Sequence, residues 1–120
     1  MLLSGCEATG DAGGTKTFRD DAIPFTFELP TEFAKEDVDN GNSRGDVVAA
    51  AGVTKVDVVA VRRGTALGAR ESTILGKRVT SELRAVEGHD GWVLECQYTP
   101  DFADKVRSAC AAALESVKPK

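Results

Sequence analysis

The tightest constraint on this chain lies near its end, where a strand pattern runs into a helix pattern and each carries one cysteine. From Trp92 to Tyr98 the residues alternate, with Trp92, Leu94, Cys96 and Tyr98 on one face and Val93, Glu95 and Gln97 on the other. Thr99 then offers an N-cap and Pro100 a first helical residue. The helix expected from Pro100 to Val117 sets Phe102, Val106, Ala109, Cys110, Ala113, Leu114 and Val117 on one stripe. Asp101 and Asp104 near its start and Lys118 near its end suit the helix dipole. A helix folded back over the strand it leaves brings Cys96 and Cys110 together. Closing a loop of about 15 residues stabilises a fold by about 3 kcal/mol in chain-entropy terms, a large share of a small domain's margin. The competing reading leaves both as buried thiols, common for free cysteines; the redox compartment decides between them.

The start of the chain bears on that compartment. Leu3-Ser4-Gly5-Cys6 resembles a lipobox, the aliphatic residue, two small residues and cysteine at which a bacterial lipoprotein signal ends. The basic and apolar stretches of a secretory signal are expected upstream of Met1. Glu7 to Thr15 holds three glycines and no large apolar residue, too little to bury. The organisation expected is therefore three pieces. Residues 1–6 are the remnant of a lipoprotein signal, 7–17 a flexible tether, and 18–118 a single domain. Cys6 takes the lipid, Cys96 and Cys110 pair, and the odd cysteine count is explained. If Met1 is the true start, the alternative is a cytosolic α+β protein with reduced thiols.

At 120 residues, 42% hydrophobic and 28% charged, there is room for one globular domain. A net charge of −4 argues against nucleic acid, whose phosphates demand a basic face, and against adhesion to anionic lipid by overall charge. No run of about 18 apolar residues is present to span a bilayer.

Within the domain, Phe25, Phe27 and Leu29 alternate with Thr26 and Glu28 as a half-buried strand stopped by Pro30. Thr31 can cap a short helical turn through Phe33 and Lys35, and Asp37 to Ser43 reads as an exposed loop. Val47–Val53 and Lys55–Arg63 are strand-like, the second with apolar residues on both faces as in a central strand, and Gly52 marks a bulge or turn. Gly64 to Ser72 reads as loop. Residues 73–87 fit either helix spacing or a strand. The Gly88-His89-Asp90-Gly91 turn before Trp92 favours a hairpin from Val79 to Tyr98. The expected fold class is α+β, a mostly antiparallel sheet with the C-terminal helix packed on one face.

No catalytic constellation emerges. His89 is the single histidine and sits in a turn; Ser81 and Ser108 have no nucleophile motif around them. One histidine and three committed cysteines leave no zinc set. Asp37 to Asn42 departs from a calcium loop, with its glycine one place early and Val48 where the bidentate glutamate belongs. No dinucleotide or phosphate loop occurs. No cofactor or metal is expected. Arg44-Gly45-Asp46 matches a cell-attachment tripeptide and equally makes a plain turn. Arg62, Arg63, Arg70, Lys77 and Arg78 form a basic cluster, either solvated strand ends or a docking patch for an anionic partner. A rival reading is an envelope hydrolase using Asp20, Asp21, Glu36 and Asp37.

Two features carry a family resemblance. The lipobox, the tether and the Ala/Val/Asp/Arg-rich composition are similar to small lipoproteins of high-GC Gram-positive bacteria. The run Gly91–Thr99 and the run Cys110–Lys118 resemble the last strand and last helix of PsbP/Mog1-type α/β/α sandwiches, and the early Phe25–Pro30 followed by a short helical turn is similar to the same pattern. That resemblance implies a non-catalytic binding or assembly module, lipid-anchored on the extracytoplasmic face of the cell membrane. Its partner would be an envelope protein or small ligand. It transfers no functional residues.

Overall fold

Alternating apolar residues need a partner layer, and here β-strands and one helix supply it. The computed structural model describes residues 14–37 and 46–120. Among them run β1 (Thr15–Phe18), β2 (Phe25–Pro30), β3 (Ala34–Glu36), β4 (Val47–Gly52), β5 (Val58–Arg63), β6 (Gly68–Ile74), β7 (Lys77–Ala85) and β8 (Trp92–Tyr98). A 3-10 turn (Pro100–Phe102), α1 (Ala103–Glu115) and β9 (Lys118–Pro119) follow. One sheet has the order β3-β4-β5-β8-β7-β6 and a smaller one β9-β2-β1, every pairing antiparallel. The chain is thus mostly strand, with one C-terminal helix packed against sheet.

The core lies between α1 and one face of the large sheet. Val59, Val61, Leu94 and Cys96 meet Val106, Ala109, Cys110 and Ala113, and β2 contributes Phe25, Phe27 and Leu29. Burying each large side chain is worth about 1.5–3 kcal/mol, so the phenylalanines of the small sheet hold it to the helix. Cys96 and Cys110 form a disulfide with α-carbons 6.2 Å apart, 14 residues apart in sequence. The alternation and the stripe had placed them face to face.

Several expectations are corrected. No helical turn forms after Thr31: the chain enters β3, where Lys35 pairs with Ala51, because Phe33 is fully buried and draws the backbone onto the sheet. The loop expected from Gly64 to Ser72 is half strand. β6 is exposed from Gly68 to Thr73, so it carries no apolar alternation, and its ladder to β7 holds it in place. The hairpin expected from Val79 to Tyr98 does form, with residues 77–85 as its first strand. β1 takes up Thr15–Thr17, extending the ordered domain into the segment assigned to the tether. Thr26 is buried, since β2 is the middle strand of its sheet. Thr99 makes no side-chain cap; its hydroxyl goes to Asp57 instead. Residues 1–13, Cys6 among them, and residues 38–45, with most of the expected exposed loop and Arg44-Gly45, lie outside the described residues.

Strand direction gives the domain two ends. At one, Tyr98 leads into the helix, the Val53–Asp57 loop joins β4 to β5, and the Leu75–Gly76 turn joins β6 to β7. Gly14 is at this end too: its carbonyl accepts from the Thr31 N–H, and Thr15 and Pro30 line a groove with Asp104 and Lys105 of the helix start. The other end gathers Trp92, His89, Gly64 and Phe25.

Candidate binding site

The Trp92 end is shaped by the β5–β6 connection. Gly64 has φ +137°, a conformation that favours glycine, and donates its N–H to the Gly91 carbonyl at 2.8 Å. This ties the loop to the β7–β8 turn and leaves a hollow on either side. One, of about 240 Å³, is lined by Leu67, Val86, His89, Asp90 and Trp92 among others. The other, of about 100 Å³, is lined by Asp46, Arg62, Arg63, Thr65 and Arg70 among others. Gly64, Thr65 and Val93 line both, so the two are neighbours.

Aromatic packing fixes the first hollow. Trp92 stands edge-on to Phe25, ring centroids 6.0 Å apart, and His89 lies 4.8 Å from the same ring. The Arg63 guanidinium sits 4.9 Å above the Trp92 ring, an attraction worth about 0.5–1 kcal/mol at an exposed place. In the second hollow, Arg62 is held by Asp46 and by the buried Glu95, whose Oε1 is 3.2 Å from Nη1. Among the described residues no carboxylate lies within ion-pair distance of Arg63 or Arg70, and both are exposed. The arrangement can receive an anionic group beside an aromatic surface.

The basic cluster seen in the sequence is therefore divided. Arg62, Arg63 and Arg70 meet at one hollow, whereas Lys77 and Arg78 lie toward the far end of the β6–β7 hairpin. Ser81 is buried in mid-strand and Ser108 exposed on α1. Asp20 is bound to Lys35 at 2.9 Å and accepts the Ala22 N–H, which with Lys35 holds its carboxyl below the usual range. Glu36 projects from β3 on the side opposite Lys35, and none of the four acidic candidates lines the hollows. No group of three metal-ligating side chains occurs among the described residues.

Two polar assemblies had no signature in the sequence. Asp57, buried in the β4–β5 loop, accepts from the Thr99 N–H and hydroxyl and from Thr54. Glu82 on β7 accepts from Arg84 at 2.6 Å, from the Tyr98 hydroxyl and from Arg107 of α1 at 3.1 Å. Its bonds from Arg84 and Tyr98 hold its carboxyl below the ordinary value; burial, then Glu82, pushes Tyr98 up. Each assembly joins residues far apart in sequence, so only the fold reveals it. No protein-family model matches the chain, and no curated protein matches it. No helix among the described residues is long and apolar enough to cross a membrane.

Proposed function

We propose that this chain is a small extracytoplasmic lipoprotein, anchored through Cys6, that works as a non-catalytic binding or assembly module. The observation that carries the reading is the Cys96–Cys110 disulfide. It accounts for two of three cysteines, agrees with an oxidising compartment, and leaves Cys6 in its lipobox. Geometry adds support. A chain tethered from the Gly14 side presents its opposite end, with Trp92 and Arg63, away from the membrane. The partner is an anionic envelope protein or small ligand, its carboxylate or phosphate taken by Arg63 and Arg70. The resemblance to PsbP/Mog1-type sandwiches points the same way.

Metabolic labelling with an alkyne fatty acid in a lipoprotein-processing host tests the anchor. The full chain, preceded by a functional signal, takes up the label, and Cys6→Ala does not. Intact mass before and after reduction tests the compartment, the native protein gaining two hydrogens. A chain without label and with no mass gain is the cytosolic protein of reduced thiols instead.

A further inference from the structure

We propose that the β6–β7 turn is a membrane-contacting tip: Leu75 enters the interface of an anionic bilayer while Lys77 and Arg78 rest against lipid phosphates. Leu75 is 77% exposed, with φ +54°, and precedes Gly76 with φ +77°. A two-residue turn of this type favours Asn or Asp at the first position, and a bulky residue there is an outlier. Leucine serves neither the turn nor solubility at this position. An apolar phase beyond the turn gives it a use.

The tip is built to reach such a phase. β8 ends at Tyr98 opposite Thr80, yet the β6–β7 ladder continues through Val79–Ser72, Arg78–Thr73 and Lys77–Ile74. The hairpin thus extends about 10 Å past its neighbour strand. Lys77 and Arg78 follow the turn on opposite faces, exposed and without an ion pair among the described residues. Glu71, the hairpin's acid on β6, stands farther back opposite Thr80. The chain's net charge of −4 opposes flat adhesion, and Asp101 and Asp104 at the helix start oppose docking on that element; a basic tip still meets anionic headgroups first. Gly14 lies at the same end, so an anchor at Cys6 would hold this tip downward. That orientation rests on the lipoprotein reading; insertion of Leu75 does not. A single lipid chain binds membranes only marginally, and a second contact on the same molecule adds its strength at high effective concentration.

The test uses the full chain as Cys6→Ser, which bears no lipid, in co-sedimentation with phosphatidylglycerol-containing or pure phosphatidylcholine vesicles. Binding to the first and little to the second is expected. Lys77→Ser/Arg78→Ser loses about thirty-fold, since each basic residue near an anionic surface contributes about fivefold. Leu75→Asn removes the apolar tip and improves the turn, so it folds at least as well and yet binds more weakly. Wild-type binding by Leu75→Asn, no binding by the Cys6→Ser chain at saturating lipid, or a loss found only in Arg63→Ser/Arg70→Ser would each overturn the proposal. Failure of fatty-acid labelling at Cys6 would remove the anchor and leave this result standing.

Discussion

Asp57 and Arg63 sit toward opposite ends of one sheet and use their charge in opposite ways. Asp57 spends both carboxylate oxygens inside the fold: Oδ1 accepts the Thr99 N–H at 2.6 Å and hydroxyl at 3.0 Å, and Oδ2 accepts Thr54 at 2.6 Å. Arg70 and its neighbour Arg63 have no carboxylate partner among the described residues and stand in solvent around a hollow. A buried charge is tolerable only when its bonds are made, so Asp57 is a group that stabilises the fold. Charges left over at a concave, aromatic-lined surface contribute little to folding and are available to something outside. Substitutions at Asp57 and at Arg63 or Arg70 should therefore read out differently, in stability at the first and in binding at the others.

The disulfide gives the largest expected effect, because the loop it closes contains the Tyr98–Pro100 turn. Reduction, or Cys96→Ala/Cys110→Ala, should cost about 3–5 kcal/mol in a denaturant titration, from the lost cross-link and, in the double variant, a small cavity. A loss below 1 kcal/mol would mean that packing alone sets this end. Asp57→Ala comes next. It strips the Thr99 N–H of its partner and breaks the bond to Thr54, so about 3 kcal/mol is expected. Asp57→Asn, keeping one acceptor oxygen, should cost less. Gly52 shares this junction: a Cβ there would lie 2.5 Å from Val58 Cγ1 and within 2.9 Å of the Thr54 and Asp57 carbonyl oxygens.

Glu82 gives a smaller effect that depends on pH. Its folded carboxyl is held below the ordinary value by Arg84 and Tyr98. The stability it contributes is full above the unfolded value near about 4.3 and drains as pH falls through the folded one. Tyr98 has the opposite sign: raised in the fold, it contributes below about 10 and loses that as pH rises through its folded value. Between the two limits the contribution is level. Glu82→Gln should cost about 1–2 kcal/mol at neutral pH, chiefly through the Tyr98 bond, because Arg107 is well exposed. It should also flatten the acid limb of a melting-temperature profile. An unchanged limb would assign acid lability elsewhere, with Asp20 the next group to test.

What the sequence made legible follows from period. The Trp92–Tyr98 alternation and the Phe102–Val117 stripe each bury one face, so position in the pattern reports position in the core and brings Cys96 to Cys110. β6 escaped because an edge strand exposed on both faces buries nothing and leaves no apolar rhythm. β3 escaped because three residues are too few to show one. The Asp57–Thr99 lock spans 42 residues, and no local pattern couples a loop aspartate to a cap threonine. Thr99 was legible as a cap but not as a cap diverted to another acceptor. The binding site was half legible: the arginines were visible as a cluster, but only the folded hollow shows Arg62, Arg63 and Arg70 meeting while Lys77 and Arg78 stand at the hairpin tip.

The smallest effect on stability belongs to Arg63 and Arg70, whose substitution matters most for function. Arg63→Ser/Arg70→Ser should leave stability within about 0.5 kcal/mol of wild type, as surface changes away from buried networks do. Trp92 is the sole tryptophan and lies beneath Arg63, so its fluorescence reports the hollow without a label. Titration with an anionic peptide or a phosphate ester should change the emission of wild type and leave that of the double variant flat. Arg62→Ser supplies the contrast at the same hollow. Arg62 is bound to the buried Glu95, so its loss should destabilise the fold by about 3 kcal/mol, as breaking one side of a buried pair does. If Arg63→Ser/Arg70→Ser unfolded the protein as readily, the paired and the unpaired arginines would not differ in kind, and the reading of Arg63 and Arg70 as charges kept for a partner would fail.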